Sequence, residues 1–254
     1  FFSAGFAGLA IGLFVGHSFD KGLGSQMGLG FGQNSAAIQK SFFESTFLLL
    51  GYVAKSDGHV SESEINHTEL IFFRLGLSSE QRQIAIELFK KGATAGFGPE
   101  YAVTEFRRLA SNNIQLTQTL LTMLCTLALS DNQLDQGERN ALYDIGRLLG
   151  LGDANLDSLL RMVEAQARFE SEEGAFGSRR TDSESLDDAY AVLGVPSSTS
   201  DGALKKAYRK LMSQNHPDKL IAKGVPEDMI KLATEKTQSI QTAYEIIKKA
   251  RKSK

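Results

Sequence analysis

The chain has 254 residues, of which 42% are hydrophobic and 23% are charged. This balance is ordinary for a soluble helical protein and leaves room for one or two compact domains with connecting segments. The single cysteine, Cys125, excludes an intramolecular disulfide and a cysteine-based zinc site, and it fits a reducing compartment. Because Cys125 lies within the apolar stretch "LLTMLCTLAL", we predict a core residue rather than a nucleophile.

The formal net charge of −2 is divided unevenly along the chain. Residues 186–254 hold 13 Lys/Arg against 8 Asp/Glu, a net of +5, and the remainder holds 15 against 22, a net of −7. An acidic body joined to a basic module indicates two units with different partners. The basic residues are interspersed and form no Arg-rich run, so nucleic acid is not a predicted partner.

The chain opens with sixteen residues that carry no charge. It starts without Met, which predicts a truncated N-terminus, and a few restored residues would complete the ~20 that a membrane-spanning helix needs. Gly8, Gly12 and Gly16 recur every fourth residue, the spacing that lets two membrane helices approach closely. We therefore predict a partial transmembrane anchor at 1–16 that forms a homodimer through this stripe. A cleaved signal peptide and a segment of the core are the alternatives.

The flanks of this segment carry a weaker signal. Residues 17–35 are predicted to be a flexible, Gly-rich linker. The nearby cations, Lys21 and Lys40, slightly favour a cytoplasmic location for everything that follows the anchor.

Residues 36–165 show helical periodicity almost throughout, and no alternating run rich in β-branched residues competes with it. We predict an all-α domain with helices near 38–55, 61–76, 79–91, 99–110, 113–130, 136–149 and 153–170.

Within this domain, "AKSDGHVSESE" (54–64) and "ALSDNQLDQGE" (128–138) repeat Ala, Asp, an apolar residue and Glu at identical offsets. This echo predicts two related halves. The simpler account is structural: Gly58 and Asn132 end helices, and capping boxes start the next ones at Ser61–Glu64 and Asp135–Glu138.

The alternative account is a metal site. If the halves pack pseudo-symmetrically, four carboxylates would converge into an oxygen-rich site suited to Ca²⁺ or Mg²⁺, namely Asp57, Glu64, Asp131 and Glu138. His59 and His67 could add imidazole nitrogens and shift the preference towards a transition metal.

The paired turns resemble those of the tellurite-resistance TerB-like helical domain, whose members are suspected metal binders or interaction modules. This resemblance supports a second functional hypothesis, a metal-responsive interaction scaffold centred on 36–165, which melting of that domain with and without divalent cations would test.

Residues 166–185 lose the periodicity and gain Gly, Ser and charge, which predicts an exposed linker. From Leu186 a short helix is expected to end at Gly194 and Pro196, and a second helix to start at Ser200 or Asp201. A loop with Gly224 and Pro226 should then lead to a third helix. Two long helices joined by this turn should pack as an antiparallel hairpin.

The segment 186–254 closely resembles the J domain of the DnaJ family. The resemblance is carried by "YAVLGV" (190–195), "LKKAYRKL" (204–211), "HPDK" (216–219) and "AYEIIKKA" (243–250). It implies a partner, a DnaK-type chaperone, whose ATP hydrolysis the J domain stimulates. It also implies a partner-binding surface made of Lys205, Lys206, Arg209, Lys210, His216, Pro217, Asp218 and Lys219.

The residue types suit that role. A basic helix face gives orientation and on-rate towards an acidic surface. Asp218 can accept a charge-assisted hydrogen bond from a partner arginine, while Pro217 fixes the backbone and His216 orders the tip. Asn215 departs from the family, which usually has an aromatic there, and this predicts weaker packing beneath the loop.

The "HPDKLIAKGVPEDM" stretch is longer than in typical DnaJ, and no Gly/Phe-rich region or Cys-rich zinc domain follows it. The order of membrane segment, TerB-like domain and J domain resembles the DjlA subfamily of bacterial inner-membrane co-chaperones, whose J domain faces the cytoplasm. The resemblance thus implies a regulator of a partner ATPase and not an enzyme, with no required cofactor. A hydrolase is the least favoured class, because no nucleophile–base arrangement is visible, and no P-loop occurs that would bind ATP.

Overall fold

The computed structural model describes residues 33–56, 72, 75–110, 113–129, 134–173 and 182–252. Over these residues the chain is α-helical between its turns and contains no strand, so the predicted all-α class is confirmed. The helices are α1 (Gln33–Ala54), α2 (Ser79–Gly92), α3 (Glu100–Leu109), α4 (Ile114–Ala128), α5 (Gln136–Leu148), α6 (Asp153–Glu173), α7 (Asp182–Val192), α8 (Asp201–Gln214), α9 (Pro217–Lys223) and α10 (Ile230–Lys252). The predicted helix 61–76 falls mainly outside the described residues.

Helix α1 is the centre of the N-terminal bundle. Phe42, Phe43 and Phe47 are completely buried, as are most side chains between residues 41 and 53. A helix that is apolar on every face must be covered on every face, and α1 packs against α2, α3, α4 and α5. The rings of Phe43 and Phe47 meet edge to face with centroids 4.7 Å apart, a favoured aromatic geometry. The apolar residues of α1 therefore belong to a helix that is surrounded by its neighbours.

The closest helix contact is between α1 and α2, and it is made by two glycines. A Cβ atom on Gly51 would overlap the carbonyl oxygen of Phe89, and one on Gly92 would overlap the carbonyl oxygen of Leu48. Because each glycine faces the backbone of the other helix, the two backbones approach to a distance that no side chain permits.

Helix starts in this bundle follow local sequence signals. The predicted capping box at α5 is confirmed: the backbone N–H of Glu138 donates to Asp135 Oδ1 (2.8 Å), and that of Asp135 donates to Glu138 Oε2 (3.0 Å). Ser78 and Gln81 form a second box at α2. The other half of the sequence echo, 57–64, lies outside the described residues.

The prediction of a buried Cys125 is confirmed. The side chain is fully buried in α4, and burial raises the pKa of its thiol to about 12. At neutral pH the residue is therefore a protonated thiol that packs as a small apolar side chain.

A second core lies between α7, α8 and α10. Its buried residues include Ala189, Leu193, Leu204, Ile240 and Ile247. Tyr208 of α8 stacks on Tyr244 of α10, with centroids 4.2 Å apart and planes 15° from parallel.

The predicted antiparallel hairpin is visible in the contacts between its ends. Arg251, near the end of α10, donates to Asp201 Oδ1 at the start of α8 (2.5 Å), whereas Thr237 donates to the carbonyl of Asn215, just beyond the end of α8 (3.3 Å). The two long helices therefore run in opposite directions. Arg251 also donates to the Tyr190 hydroxyl (2.9 Å) and the Thr199 carbonyl (2.6 Å), which fixes the turn between α7 and α8.

The segment 166–185, predicted to be a linker without periodicity, is helical at both ends. α6 continues to Glu173 and α7 starts at Asp182. The physical reason is that the end of α6 has partners: Ala165 belongs to the second core, and Arg168 donates to Asp188 Oδ1 on α7 (3.0 Å). Both residues lie within the predicted helix 153–170, and the observed helix continues three residues further, to Glu173, where tertiary contacts support it.

Candidate partner-binding site

The basic face lies on α8. The helix starts at Ser200, whose side chain accepts from the Ala203 N–H, and Leu204 anchors it in the second core. The basic face comprises Lys205, Lys206, Arg209 and Lys210, all of them exposed. Their spacing of three and four residues puts them on one side of the helix. Within the described part of the chain none of the four forms an ion pair, so their field is directed at solvent.

The His-Pro-Asp sequence forms the start of α9 and is not the free loop tip that the sequence predicts. His216 is the N-cap, and its Nδ1 accepts from the backbone N–H of Asp218 (3.2 Å). Pro217 is at the first helical position, where its missing N–H costs nothing and its fixed φ suits the helix. The helix ends at Gly224, whose φ of 102° few other residues adopt. Each residue of the motif thus has a defined local role.

The carboxylate of Asp218 is directed at solvent. Its side chain is 87% exposed, and its Oδ2 lies 3.9 Å from Nδ1 of His216. A carboxylate held by a capped helix turn but not by an arginine can accept a bidentate hydrogen bond from outside the molecule. Lys219, also exposed, donates to the Ser213 hydroxyl and so links α9 to the end of α8.

Asn215, which stands where the family usually has an aromatic, is half-buried and hydrogen-bonded. Its Nδ2 donates to the Leu211 carbonyl (2.8 Å), and its own carbonyl accepts from Thr237. Two polar contacts therefore connect the residue before His216 to α8 and α10. The expectation of weaker packing beneath the motif stays a prediction.

Positive charge accumulates along this side of α9. Burial lowers the pKa of Lys223, and the neighbouring Lys219 lowers it further. Lys219 and Lys223 thus add two lysines on α9 to the four cations of α8.

Of the four carboxylates in the predicted metal site, only Glu138 lies among the described residues. Asp57, Glu64 and Asp131 lie outside them, with His59 and His67. Glu138 accepts from the backbone at the start of α5, and the described residues hold no cluster of three or more metal-ligating side chains. The two hydrogen bonds between Glu138 and Asp135 are those that the capping account predicts.

The predicted anchor and its stripe at Gly8, Gly12 and Gly16 lie outside the described residues. None of the helices in the described ranges combines the length and the apolar character that crossing a bilayer requires.

Two contacts near the site were not foreseen from the sequence. Arg251 holds the α7–α8 turn, and Leu220, Val225 and Met229 behind α9 are buried in the N-terminal core. The second contact had a signal in the sequence, because these three apolar residues lie within a stretch that is predicted to be a loop.

The hairpin, the His-Pro-Asp cap and the basic face define a J-domain protein. Residues 188–254 match the DnaJ domain family, and residues 44–161 match the family described as tellurite resistance protein TerB. Curated relatives named co-chaperone protein DjlA include that of Vibrio vulnificus strain CMCP6, which is 38% identical over 93% of this chain and 90% of the relative. That of Yersinia pestis is 35% identical over 98% of this chain and 93% of the relative. The chain belongs to the DjlA family of J-domain co-chaperones. No solved structure shows significant similarity to it.

Proposed function

We propose that this co-chaperone docks on a DnaK-type chaperone through the basic face of α8 and the His-Pro-Asp cap of α9, and stimulates ATP hydrolysis by that partner. The observation that carries the proposal is the exposed Asp218 carboxylate at the end of an exposed basic helix face. The J domain holds no catalytic group in this account, and ATP is bound by the partner.

The basic face of α8 and the carboxylate of Asp218 have different roles in the proposed docking. The four cations of α8 attract an acidic surface over a distance of about a Debye length, which accelerates encounter and sets orientation. Asp218 acts after encounter, when its carboxylate pairs with a partner arginine in a contact that excludes water. A change on α8 should therefore alter the concentration needed for stimulation, whereas a change at Asp218 should alter the stimulation itself.

Reversing two charges on α8 is expected to weaken docking and to leave the maximal stimulation almost unchanged. For Lys205→Glu/Lys206→Glu we expect the half-saturating concentration to rise at least about tenfold at low salt, because rim charges govern association. The measurement is single-turnover ATP hydrolysis by bacterial DnaK, titrated with the full chain in mild detergent at two salt concentrations. The salt dependence should be smaller for the variant than for the unmodified chain.

The matched control is Lys231→Glu/Lys252→Glu, which makes the same charge change at exposed positions on α10, the other long helix of the hairpin. It should leave the half-saturating concentration within about twofold. Equal weakening by both variants would contradict a specific role for α8 and indicate a response to net charge. If the unmodified chain failed to stimulate hydrolysis, the proposed function itself would be wrong.

We also propose that residues 1–16 anchor the protein in the bacterial inner membrane as a homodimer, with the described domains in the cytoplasm. The support is the uncharged sequence and its glycine stripe.

Gly12→Leu should keep the protein in the membrane fraction after alkaline extraction and should reduce cross-linked dimer in intact cells. Release of the unmodified chain by alkaline extraction would exclude the anchor, and undiminished dimer in the variant would exclude the stripe.

A further inference from the structure

The helix that carries the His-Pro-Asp cap has its buried side in the other domain. Leu220, Val225 and Met229 are 2%, 0% and 0% exposed and belong to the core of the N-terminal bundle. The J domain's own core, around Leu204 and Ile240, does not include them. The orientation of α9 therefore depends on the N-terminal bundle as well as on the α8–α10 hairpin.

The contact is closest between α1 and the residue that ends α9. A Cβ atom on Gly224 would lie 2.5 Å from Cγ2 of Ile38, and Gly224 has a φ of 102°. Ile38 is half-buried and packs against the N-terminal core. Because the gap between them is filled, α1 cannot move towards Gly224 at this point without displacing the end of α9.

A second contact holds the J domain from another side. Ala165 of α6 is completely buried in the J-domain core, and Arg168 forms an ion pair with Asp188, whose side chain is 13% exposed. Two contacts made by different elements resist rotation of one domain on the other, which a single hinge contact would allow.

In this arrangement the proposed docking surface remains exposed to solvent. A cleft of about 430 Å³ separates α4 and α6 from α8 and α10, and it is bordered by Lys210 and Gln214. The side chains of His216 and Asp218 are 55% and 87% exposed. The N-terminal bundle thus supports α9 from behind without covering the proposed docking surface.

We propose that the TerB-like domain is the positioning platform for the His-Pro-Asp cap, and that Ile38 is a positioning residue for ATPase stimulation. The inference rests on the proposed function. Stimulation requires the Asp218 carboxylate and the α8 cations to meet their partner groups together, so the angle between α9 and α8 has to be fixed. Ile38 fixes it through Gly224, although it precedes the basic face by more than 160 residues of chain.

A double-mutant cycle on Ile38 and Gly224 tests this inference on the full chain in mild detergent. Gly224→Ala strains the backbone in any background, but its methyl group meets Ile38 only while the two domains are in contact. We expect Ile38→Ala to lower the maximal stimulation of DnaK at least about threefold, with less change in the half-saturating concentration. Gly224→Ala should be more harmful alone than in the Ile38→Ala background, because the smaller side chain leaves room for the methyl group.

Two controls separate positioning from general damage. Ile114→Ala makes the same deletion at a residue of the same bundle that is 70% exposed, and it should leave stimulation unchanged. Ile38→Leu keeps the apolar contact and should restore most of the stimulation, while the melting transitions of all variants are compared.

The outcomes distinguish this inference from the function on which it rests. Strictly additive effects of Ile38→Ala and Gly224→Ala, or full stimulation by Ile38→Ala, would overturn the platform role while the docking function stood. Unaltered stimulation by His216→Gln would overturn the function itself.

Discussion

His216→Gln should abolish the acceleration of DnaK ATP hydrolysis in a single-turnover assay, so that the rate with the variant falls to nearly that of the chaperone alone. The N-cap contact is lost, since Gln cannot place an acceptor where Nδ1 of His216 receives the Asp218 N–H. Asp218 then leaves its fixed direction at the start of α9. Because the arginine contact needs a defined geometry, the loss should appear in the maximal stimulation and not only in the half-saturating concentration.

Asp218→Asn removes the charge of the side chain and tests it separately from the position that the helix cap gives to residue 218. The side chain keeps its size and the backbone N–H still donates to His216, so α9 should stay capped. Stimulation should nevertheless fall at least about tenfold, because a charge-assisted hydrogen bond becomes a weaker neutral one. Both substitutions are at exposed side chains, and the melting transition should change little. Wild-type stimulation by Asp218→Asn would show that the carboxylate is not the contact.

The largest effect on stability is expected from Gly92→Ala. The new methyl group would overlap the Leu48 carbonyl of α1, a backbone atom that cannot rotate away. Relief requires α1 and α2 to separate along their contact, and α1 is the centre of the bundle, so the neighbouring Phe43 and Phe47 would lose packing as well. We expect a loss of about 1–3 kcal/mol or more in the free energy of unfolding, measured by urea denaturation.

Gly152→Ala is the control for that substitution. No atom lies within 4 Å of a Cβ built on Gly152, and its φ is not in the left-handed region. The same chemical change at that position should alter the free energy of unfolding by no more than about 0.5 kcal/mol, or raise it slightly by restricting the unfolded chain. Equal effects at the two glycines would contradict the close helix contact.

Local sequence determined most of the secondary structure of this protein. The predicted helices 79–91 and 136–149 are observed as Ser79–Gly92 and Gln136–Leu148, because periodic apolar residues and capping boxes act within a single helix. The His-Pro-Asp motif, the basic face and the J-domain hairpin were also visible as sequence, since each is a short pattern of residue types at fixed spacing. The capping hydrogen bonds between Asp135 and Glu138 likewise follow from a local signal.

Only the tertiary structure decided how these parts are joined. Helix α6 continues to Glu173, beyond the predicted end at 170, and Arg168 near that end pairs with Asp188 of α7. The stretch after Asp218 was interpreted as a loop because of Gly224 and Pro226, whereas Leu220 and Val225 find their apolar partners in the other domain. Burial against a distant segment leaves little trace in local periodicity, because the partners are separated by more than a hundred residues of chain. Sequence therefore specified the proposed docking residues, and only the tertiary structure decided that the helix carrying the His-Pro-Asp motif packs against the other domain.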